Sequence, residues 1–335
     1  MTDQLFMQRA LQLAELGKGK VMPNPMVGAV IVHDGQIIGE GFHEKHGEPH
    51  AEVNAVRSVT NPELLKESTI YVTLEPCAHY GITPPCAELI VRSQFKRVVI
   101  AHLDPHEKVA GKGVRIMEDA GIQVEIGVLE KEARFLNRRF NCYHQNRRPF
   151  VLLKWAETLD GVIGRSEQEQ HLDSWMTSEA SKQLVHEMRA NEAAILVGKN
   201  TALKDDPSLT VRLVEGDNPL RIVLDRKKEL PATLKVFDDS AETLHLVEGE
   251  NVEEWENLWE ELLEELFKKG VQTLIVEGGA KVLEDLIAKD IWDEAYKFVA
   301  PRKWEIGVMA PSGIKDWTLI NDQLDGDLLY RASKW

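Results

Sequence analysis

Four side chains between residues 50 and 86 limit what this chain can fold into more than anything else in it. His50-Ala51-Glu52 follows Gly47-Glu48-Pro49, and the pairs Pro76-Cys77 and Pro85-Cys86 come later. One neutral imidazole and two thiolates suit zinc, a borderline-soft ion. Catalytic zinc commonly takes three protein ligands and leaves a fourth position open. The metal lowers the pKa of water from 15.7 to about 7. A carboxylate is then needed to shuttle protons, and Glu52 stands two residues after His50, at the same helix start, without having to be a ligand. The fold must bring His50, Cys77 and Cys86 to one point.

The pattern His-x-Glu followed by Pro-Cys is the signature of zinc deaminases acting on base-like amines. It departs from that signature once. The second cysteine usually follows the first after two residues, whereas eight separate Cys77 from Cys86. The insert Ala78-His79-Tyr80-Gly81-Ile82-Thr83-Pro84-Pro85 has to loop out and return, which Gly81 and the paired prolines suit. A purely structural zinc site takes four protein ligands, and His79 is the candidate for a fourth.

Length and charge set the remaining bounds. At roughly 100–200 residues per domain, 335 residues suggest two domains. The expected division is 1–145 and 146–335, with Gln145-Asn146-Arg147-Arg148-Pro149 as the most linker-like piece. A formal charge of −15 disfavours a nucleic-acid partner. No apolar run of about 18 residues is present, so no membrane span is expected. Without a basic region followed by an apolar stretch at the start, the expected location is cytoplasmic. An odd count of three cysteines argues against a disulfide framework, and Cys142, the one left over, is expected to be buried.

Apolar periodicity predicts a helix over 2–19, a hairpin of strands 27–32 and 37–38 around Asp34-Gly35, and helices over 50–59, 86–93 and 111–120. Strands are predicted at 69–74 and 97–102 and around Val124. A second series follows, with strands at 150–154, 193–197, 220–224, 243–247, 273–276 and 294–299 and helices over 178–190, 252–268 and 280–289. The alternation predicts α/β architecture in both halves. The acidic side of the helix at 252–268 is read as a solvated face. Glu277-Gly278-Gly279 ends a strand and starts a helix, so a phosphate can approach backbone N–H groups there. A G-x-G-x-x-G run is absent, so a Rossmann fold is not indicated.

Pro23-Asn24-Pro25-Met26-Val27-Gly28-Ala29-Val30, His50-Ala51-Glu52 and the stretch from Glu75-Pro76-Cys77 to Pro84-Pro85-Cys86 resemble the bifunctional deaminase/reductase family of riboflavin biosynthesis. The long spacing between the cysteines is expected in that family. Its second half is matched by Lys154-Trp155-Ala156-Glu157-Thr158-Leu159-Asp160-Gly161, by Asp205-Asp206-Pro207-Ser208-Leu209-Thr210-Val211-Arg212 and by Val276-Glu277-Gly278-Gly279-Ala280. The resemblance runs from about residue 2 to about 330. It implies a cytidine-deaminase-like α/β/α sandwich followed by a dihydrofolate-reductase-like α/β domain. The implied reactions are zinc-dependent deamination of a diaminopyrimidinone ribosyl phosphate, then reduction of the ribosyl group to ribityl by NADPH.

The resemblance also implies site residues. His50, Cys77 and Cys86 would be zinc ligands and Glu52 catalytic. Asn24, His43 and His79 would hold the pyrimidine and its ribose phosphate. In the second half, Asp173, Arg189, Leu209, Arg212 and Glu277 match substrate contacts, with Arg189 and Arg212 suited to the phosphate. Lys154, Glu157, Trp175, Thr201, Asp205, Asp225, Arg226, Gly278, Gly279 and Ala280 would meet the dinucleotide. Arg226 is placed for a 2′-phosphate, and Lys154 or Asp205 for protonation as the ribose opens. Glu157 stands where a small residue often lines the cofactor, Asp173 where a serine commonly meets substrate, and Gly198-Lys199-Asn200 in place of a hydroxyl-rich run. The substrate is expected to be a small molecule and the protein a homo-oligomer. Two alternatives remain, an active deaminase with an impaired reductase half and a deaminase of nucleosides or tRNA.

Overall fold

The computed structural model describes residues 2–80, 84–106, 110–165 and 176–335. Asp173 and Trp175 lie outside the described residues. The chain divides into two compact units, 1–147 and 148–335. Among the described residues no helix is long and apolar enough to cross a membrane.

The first unit runs α1 (Asp3–Glu15), β1 (Gly28–His33), β2 (Gln36–Phe42), α2 (Ala51–Ser58), β3 (Thr69–Val72), α3 (Cys86–Arg92), β4 (Arg97–Ile100), α4 (Lys112–Asp119), β5 (Gln123–Ile126), α5 (Glu130–Leu136) and α6 (Arg138–Asn146). Its sheet has the order β2-β1-β3-β4-β5. β1 is antiparallel to β2 and β3, and β3, β4 and β5 are parallel. Strand residues alternate between faces. Val30, Val32, Tyr71 and Val99 face α1, whereas Ala29, Ile31, Ile70, Val72, Val98 and Ile100 face α2, α3 and α4. The unit is therefore an α/β/α sandwich. Gly41 seats α2, since a Cβ there would lie 2.3 Å from the backbone nitrogen of Ala55. The polar stretch read as linker is in part helical. α6 runs on to Asn146 because Phe140, Asn141 and Cys142 on it are buried, and it ends at Arg147 in the left-handed region.

The second unit runs β6 (Phe150–Thr158), β7 (Val162–Gly164), α7 (Glu179–Ala190), β8 (Ala194–Gly198), α8 (Lys199–Asp205), β9 (Leu220–Leu224), β10 (Thr243–Leu246), α9 (Leu258–Lys268), β11 (Thr273–Val276), α10 (Ala280–Ala288), β12 (Glu294–Ala300), β13 (Val308–Met309), β14 (Thr318–Leu324) and β15 (Asp327–Ser333). The eight-stranded sheet has the order β10-β9-β8-β11-β6-β12-β15-β14. The strands from β10 to β12 are parallel, and β15 is antiparallel to β12 and β14. β7 and β13 form a separate ribbon. On one face, Val151, Leu153 and Trp155 of β6 pack with Leu258, Trp259, Leu262, Leu263 and Leu266 of α9 and with Leu283 and Leu286 of α10. Each such buried leucine contributes roughly 1.5–3 kcal/mol. Glu260 and Glu264 on the opposite side of α9 are exposed, as its pattern predicts. On the other face, Phe298 packs with Leu184, Val185 and Met188 of α7.

Candidate active sites in the two units

His50 caps the N-terminus of α2, so its side chain and that of Glu52 stand at one helix start. Cys86 opens α3 on the same face of the sheet. The ligand atoms of His50, Cys77 and Cys86 all lie within 4.8 Å of one another. Nδ1 of His50 is 3.6 Å from the Cys77 sulfur and 3.3 Å from that of Cys86. The Cys86 N–H donates to the Cys77 sulfur at 3.3 Å. Hydrogen bonding from Cys86, against the cost of burial and with help from His50, lowers the Cys77 thiol, the direction that favours a thiolate ligand. One imidazole and two sulfurs converging this closely fit a soft or borderline divalent ion. Glu52 is 3% exposed. Burial, and then the Cys77 charge, push its carboxyl above the usual range.

His43 is buried beside this cluster, its ring 5.4 Å from that of His50. Its Nδ1 faces the carbonyl of Pro49 at 3.2 Å. A carbonyl only accepts, so Nδ1 carries the proton and Nε2 accepts from the Asn24 amide at 3.0 Å. The Asn24 amide oxygen is thereby left to accept. Burial lowers the His43 pKa and keeps this neutral tautomer. The segment carrying Asn24 is held by Asn137, which accepts from the Met26 N–H at 2.9 Å and donates to the Met26 carbonyl at 2.8 Å. Sequence reasoning missed Asn137, because nothing local ties it to a residue 111 positions away. His79 is exposed and shows no part in the cluster.

In the second unit the parallel register of β6 and β11 sets Lys154 beside Glu277. Arg189, in the last turn of α7, reaches the same carboxylate with both arms at 2.7 and 2.8 Å, whereas Lys154 is 3.4 Å away. Burial pushes Glu277 up, but Arg189 and Lys154 outweigh it and hold the carboxyl at about 2. Lys154 is lowered by burial, only partly offset by Glu277. Of the two cations it gives up its proton more readily, because burial lowers its ammonium whereas the Arg189 guanidinium stays protonated. Arg189, expected at a substrate phosphate, thus has its guanidinium fork engaged by Glu277. Arg212 is exposed, with one side-chain bond to Thr210 at 3.1 Å, and its backbone N–H donates to His186. Leu209 is buried with φ 54, a strained conformation for a leucine.

Gly278 has φ 111, and the Gly279 N–H donates to the Thr201 hydroxyl at 3.0 Å, just ahead of Ala280 at the start of α10. Asp205 is exposed at the end of α8. Asp225 is fully buried, and its oxygens accept from the N–H groups of Glu229 and Leu230 and meet His245. It closes its own turn and presents no carboxylate outward. The two arms of Arg226 are engaged by Glu248 at 2.8 and 2.7 Å. Glu157 is buried as well. It accepts from the Trp155 indole at 2.7 Å and from Lys297 at 3.0 Å. Lys297 was not foreseen. It lies on β12, in register with the residue two before Glu157.

Comparison with known proteins agrees with both units. The cytidine and deoxycytidylate deaminase zinc-binding region matches residues 1–102, and the RibD C-terminal domain matches 149–303. Riboflavin biosynthesis protein RibD of Aquifex aeolicus is 43% identical over 316 residues, covering 90% of this chain and 87% of its own. That of Escherichia coli is 36% identical over 329 residues, covering 90% and 88%. The structure of Acinetobacter baumannii RibD superposes with a TM-score of 0.84 at 36% identity and 98% coverage of each chain. A diaminohydroxyphosphoribosylaminopyrimidine deaminase/5-amino-6-(5-phosphoribosylamino)uracil reductase from Thermotoga maritima gives 0.84 at 39% identity, covering 98% and 97%. Fold and sites together define a two-domain α/β enzyme that joins a deaminase to a reductase. The chain belongs to the RibD family of riboflavin biosynthesis proteins.

Proposed function

We propose that this protein removes the 2-amino group of 2,5-diamino-6-ribosylamino-4(3H)-pyrimidinone 5′-phosphate by hydrolysis. It then reduces the ribosyl side chain with NADPH to give 5-amino-6-(5-phosphoribitylamino)uracil. The observation that carries this reading is the convergence of His50, Cys77 and Cys86 within 4.8 Å, next to a buried Glu52. These three side chains would hold zinc, which when bound would supply a nucleophile at neutral pH by lowering the pKa of water from 15.7 to about 7. Glu52 is the proton carrier. It accepts the proton of the attacking water and delivers protons to the ring nitrogen and the departing amine. A carboxyl raised by burial suits both directions of transfer. Asn24, fixed by His43, offers its amide oxygen to an N–H of the pyrimidine.

In the second unit the hydride would come from NADPH. The Gly278-Gly279 turn would let its phosphates approach the backbone. Lys154, its ammonium lowered by burial, would give a proton as the ribose opens, and Asp205, its carboxyl raised by desolvation, is the alternative donor. Glu157 does not present a bare charge to the cofactor, because Lys297 pairs with it. That pairing favours a working reductase over an impaired one. The net charge of −15 favours a small substrate over a nucleic acid.

The test supplies the diaminopyrimidinone ribosyl phosphate with and without NADPH, following ammonia release, NADPH oxidation and bound zinc separately. Ammonia release with NADPH consumption is the expected result. Ammonia without NADPH oxidation means an impaired reductase half, and zinc-loaded protein that releases no ammonia sinks the substrate assignment.

A further inference from the structure

Glu75 stands two residues ahead of Cys77 and is 3% exposed. Among the described residues its carboxylate accepts four hydrogen bonds, all from backbone N–H groups. One oxygen takes Gly111 at 2.9 Å and Asp104 at 3.3 Å, and the other takes Gly113 at 3.0 Å and Val114 at 3.3 Å. Gly113 and Val114 lie in the first turn of α4, where N–H groups have no partner inside the helix and an anion is favoured. The same turn presses on the chain just before Cys77, since a Cβ at Gly113 would lie 2.2 Å from the Pro76 carbonyl oxygen. The Glu75 N–H is tied to the His102 carbonyl at 3.0 Å. Beyond Cys77 the grip is separate: its carbonyl accepts from Ala87 at 3.2 Å and its sulfur from the Cys86 N–H at 3.3 Å.

We propose that Glu75 is a positioning residue for the metal site, stapling the start of α4 to the Glu75–Cys77 segment and so setting the direction of the Cys77 sulfur. The inference rests on the reading that Cys77 binds zinc. His50 and Cys86 are carried by the starts of α2 and α3, but Cys77 lies outside any helix or strand and takes its direction from these ties. Glutamine at position 75 would keep the volume. It would also turn one acceptor oxygen into an NH2 group facing two N–H donors, and half of the staple would open.

The test uses full-length zinc-loaded protein and three variants. E75Q removes half of the staple, and G113A pushes the Pro76 carbonyl from the other side. L65A weakens the buried core of the same unit without touching a metal donor. Zinc transfer to a chromogenic chelator is timed, and the thiolate-to-metal band is recorded on cobalt-substituted protein. Outer partners of metal ligands typically contribute about 10–100-fold in metal affinity, so E75Q and G113A are expected to release zinc at least about tenfold faster with an altered cobalt band. L65A should lower the Tm but release zinc at the parent rate, and NADPH oxidation on deaminated substrate should be unchanged in E75Q. Parent-like zinc release and an unaltered cobalt band in E75Q overturn the proposal. If E75Q does not fold, parent-like behaviour of G113A overturns it. L65A releasing zinc as fast as E75Q overturns it too, by reducing the effect to general loss of stability. A parent protein that binds no zinc overturns the reading of the site itself, and this inference with it.

Discussion

The two candidate sites are assembled in opposite ways. His50 and Cys86 are 36 positions apart, and a few turns of chain carry the whole donor set. Lys154 and Glu277 are 123 positions apart and meet because β6 and β11 are parallel neighbours in register. The electrostatics differ as well. The first site gathers two sulfurs and one imidazole beside a buried carboxyl, a donor set that suits a borderline-soft cation. The second gathers one carboxylate between two cations, an ion-pair cluster held by the fold with one positive charge in excess while Lys154 is protonated. A donor set of the first kind is suited to a metal, and an ion-pair cluster of the second kind depends on its fold.

Metal removal separates them most sharply. Prolonged chelation should abolish ammonia release, and zinc alone should restore it, while NADPH oxidation on already deaminated substrate stays at its starting rate. Loss of both activities would mean that the metal also holds the second unit, and the contrast would fail. Glu52→Gln comes next. Loss of a general acid–base group typically costs about 10²–10⁴-fold, so ammonia release should fall by that factor while zinc content is unchanged. Retention of activity within about tenfold would remove Glu52 from the proton path.

Glu277→Gln tests the second site through stability as well as activity. Removing one partner from a buried ion pair costs about 3–5 kcal/mol, because the remaining charges lose their compensation. Urea unfolding of the second unit should shift by that much and NADPH oxidation should fall, with zinc retained. The pH dependence follows from the same carboxyl. Its folded value is about 2 against an ordinary 4.5, so its contribution is fully present above 4.5 and is lost as pH falls from 4.5 toward 2. In the variant that part of the acid dependence should vanish. An unchanged acid-unfolding profile would show that Arg189 and Lys154 do not hold the carboxylate in solution.

The same contrast explains what the sequence discloses. The His-x-Glu and Pro-Cys pattern is legible because His50, Glu52 and Cys86 sit at helix starts, where short spacing fixes direction, and Cys77 is marked by its own Pro-Cys pair. The α/β architecture of the first unit and the parallel strands up to β12 follow from alternation and from short apolar runs, and the deaminase-like fold from the resemblance. The reading stopped before β14 and β15, although Asp325-Gly326, both at positive φ, is a hairpin signal. β14 is mostly exposed, so its apolar pattern is too thin to mark a strand. The pairing of Arg189 with Glu277 was out of reach, because only sheet order brings these residues together. Glu157 misled for the same reason. Read alone it is a repulsive carboxylate, and its partner Lys297 is 140 positions away on a strand that must first be placed beside β6.

That pair gives the smallest and finest test. Among the described residues, Lys297→Met should leave Glu157 buried with the Trp155 indole as its remaining donor. Both side chains keep some solvent access, at 21% and 11%, so the expected loss is about 1–3 kcal/mol, the cost of an unmet buried polar group, rather than that of a fully buried pair. Glu157→Ala in the parent should cost less, because the residual Lys297 ammonium can lean toward water, and adding it to Lys297→Met should recover most of the loss. The cofactor supplies an independent readout. If the bare carboxylate faces the dinucleotide, as proposed, Lys297→Met should weaken NADPH binding about tenfold, equivalent to 1.4 kcal/mol, and the double variant should restore it. Recovery of stability without recovery of NADPH affinity would keep the ion pair but place the dinucleotide elsewhere. The second unit would then resemble the first more closely than its charges suggest, with a structural pair standing apart from the reacting groups.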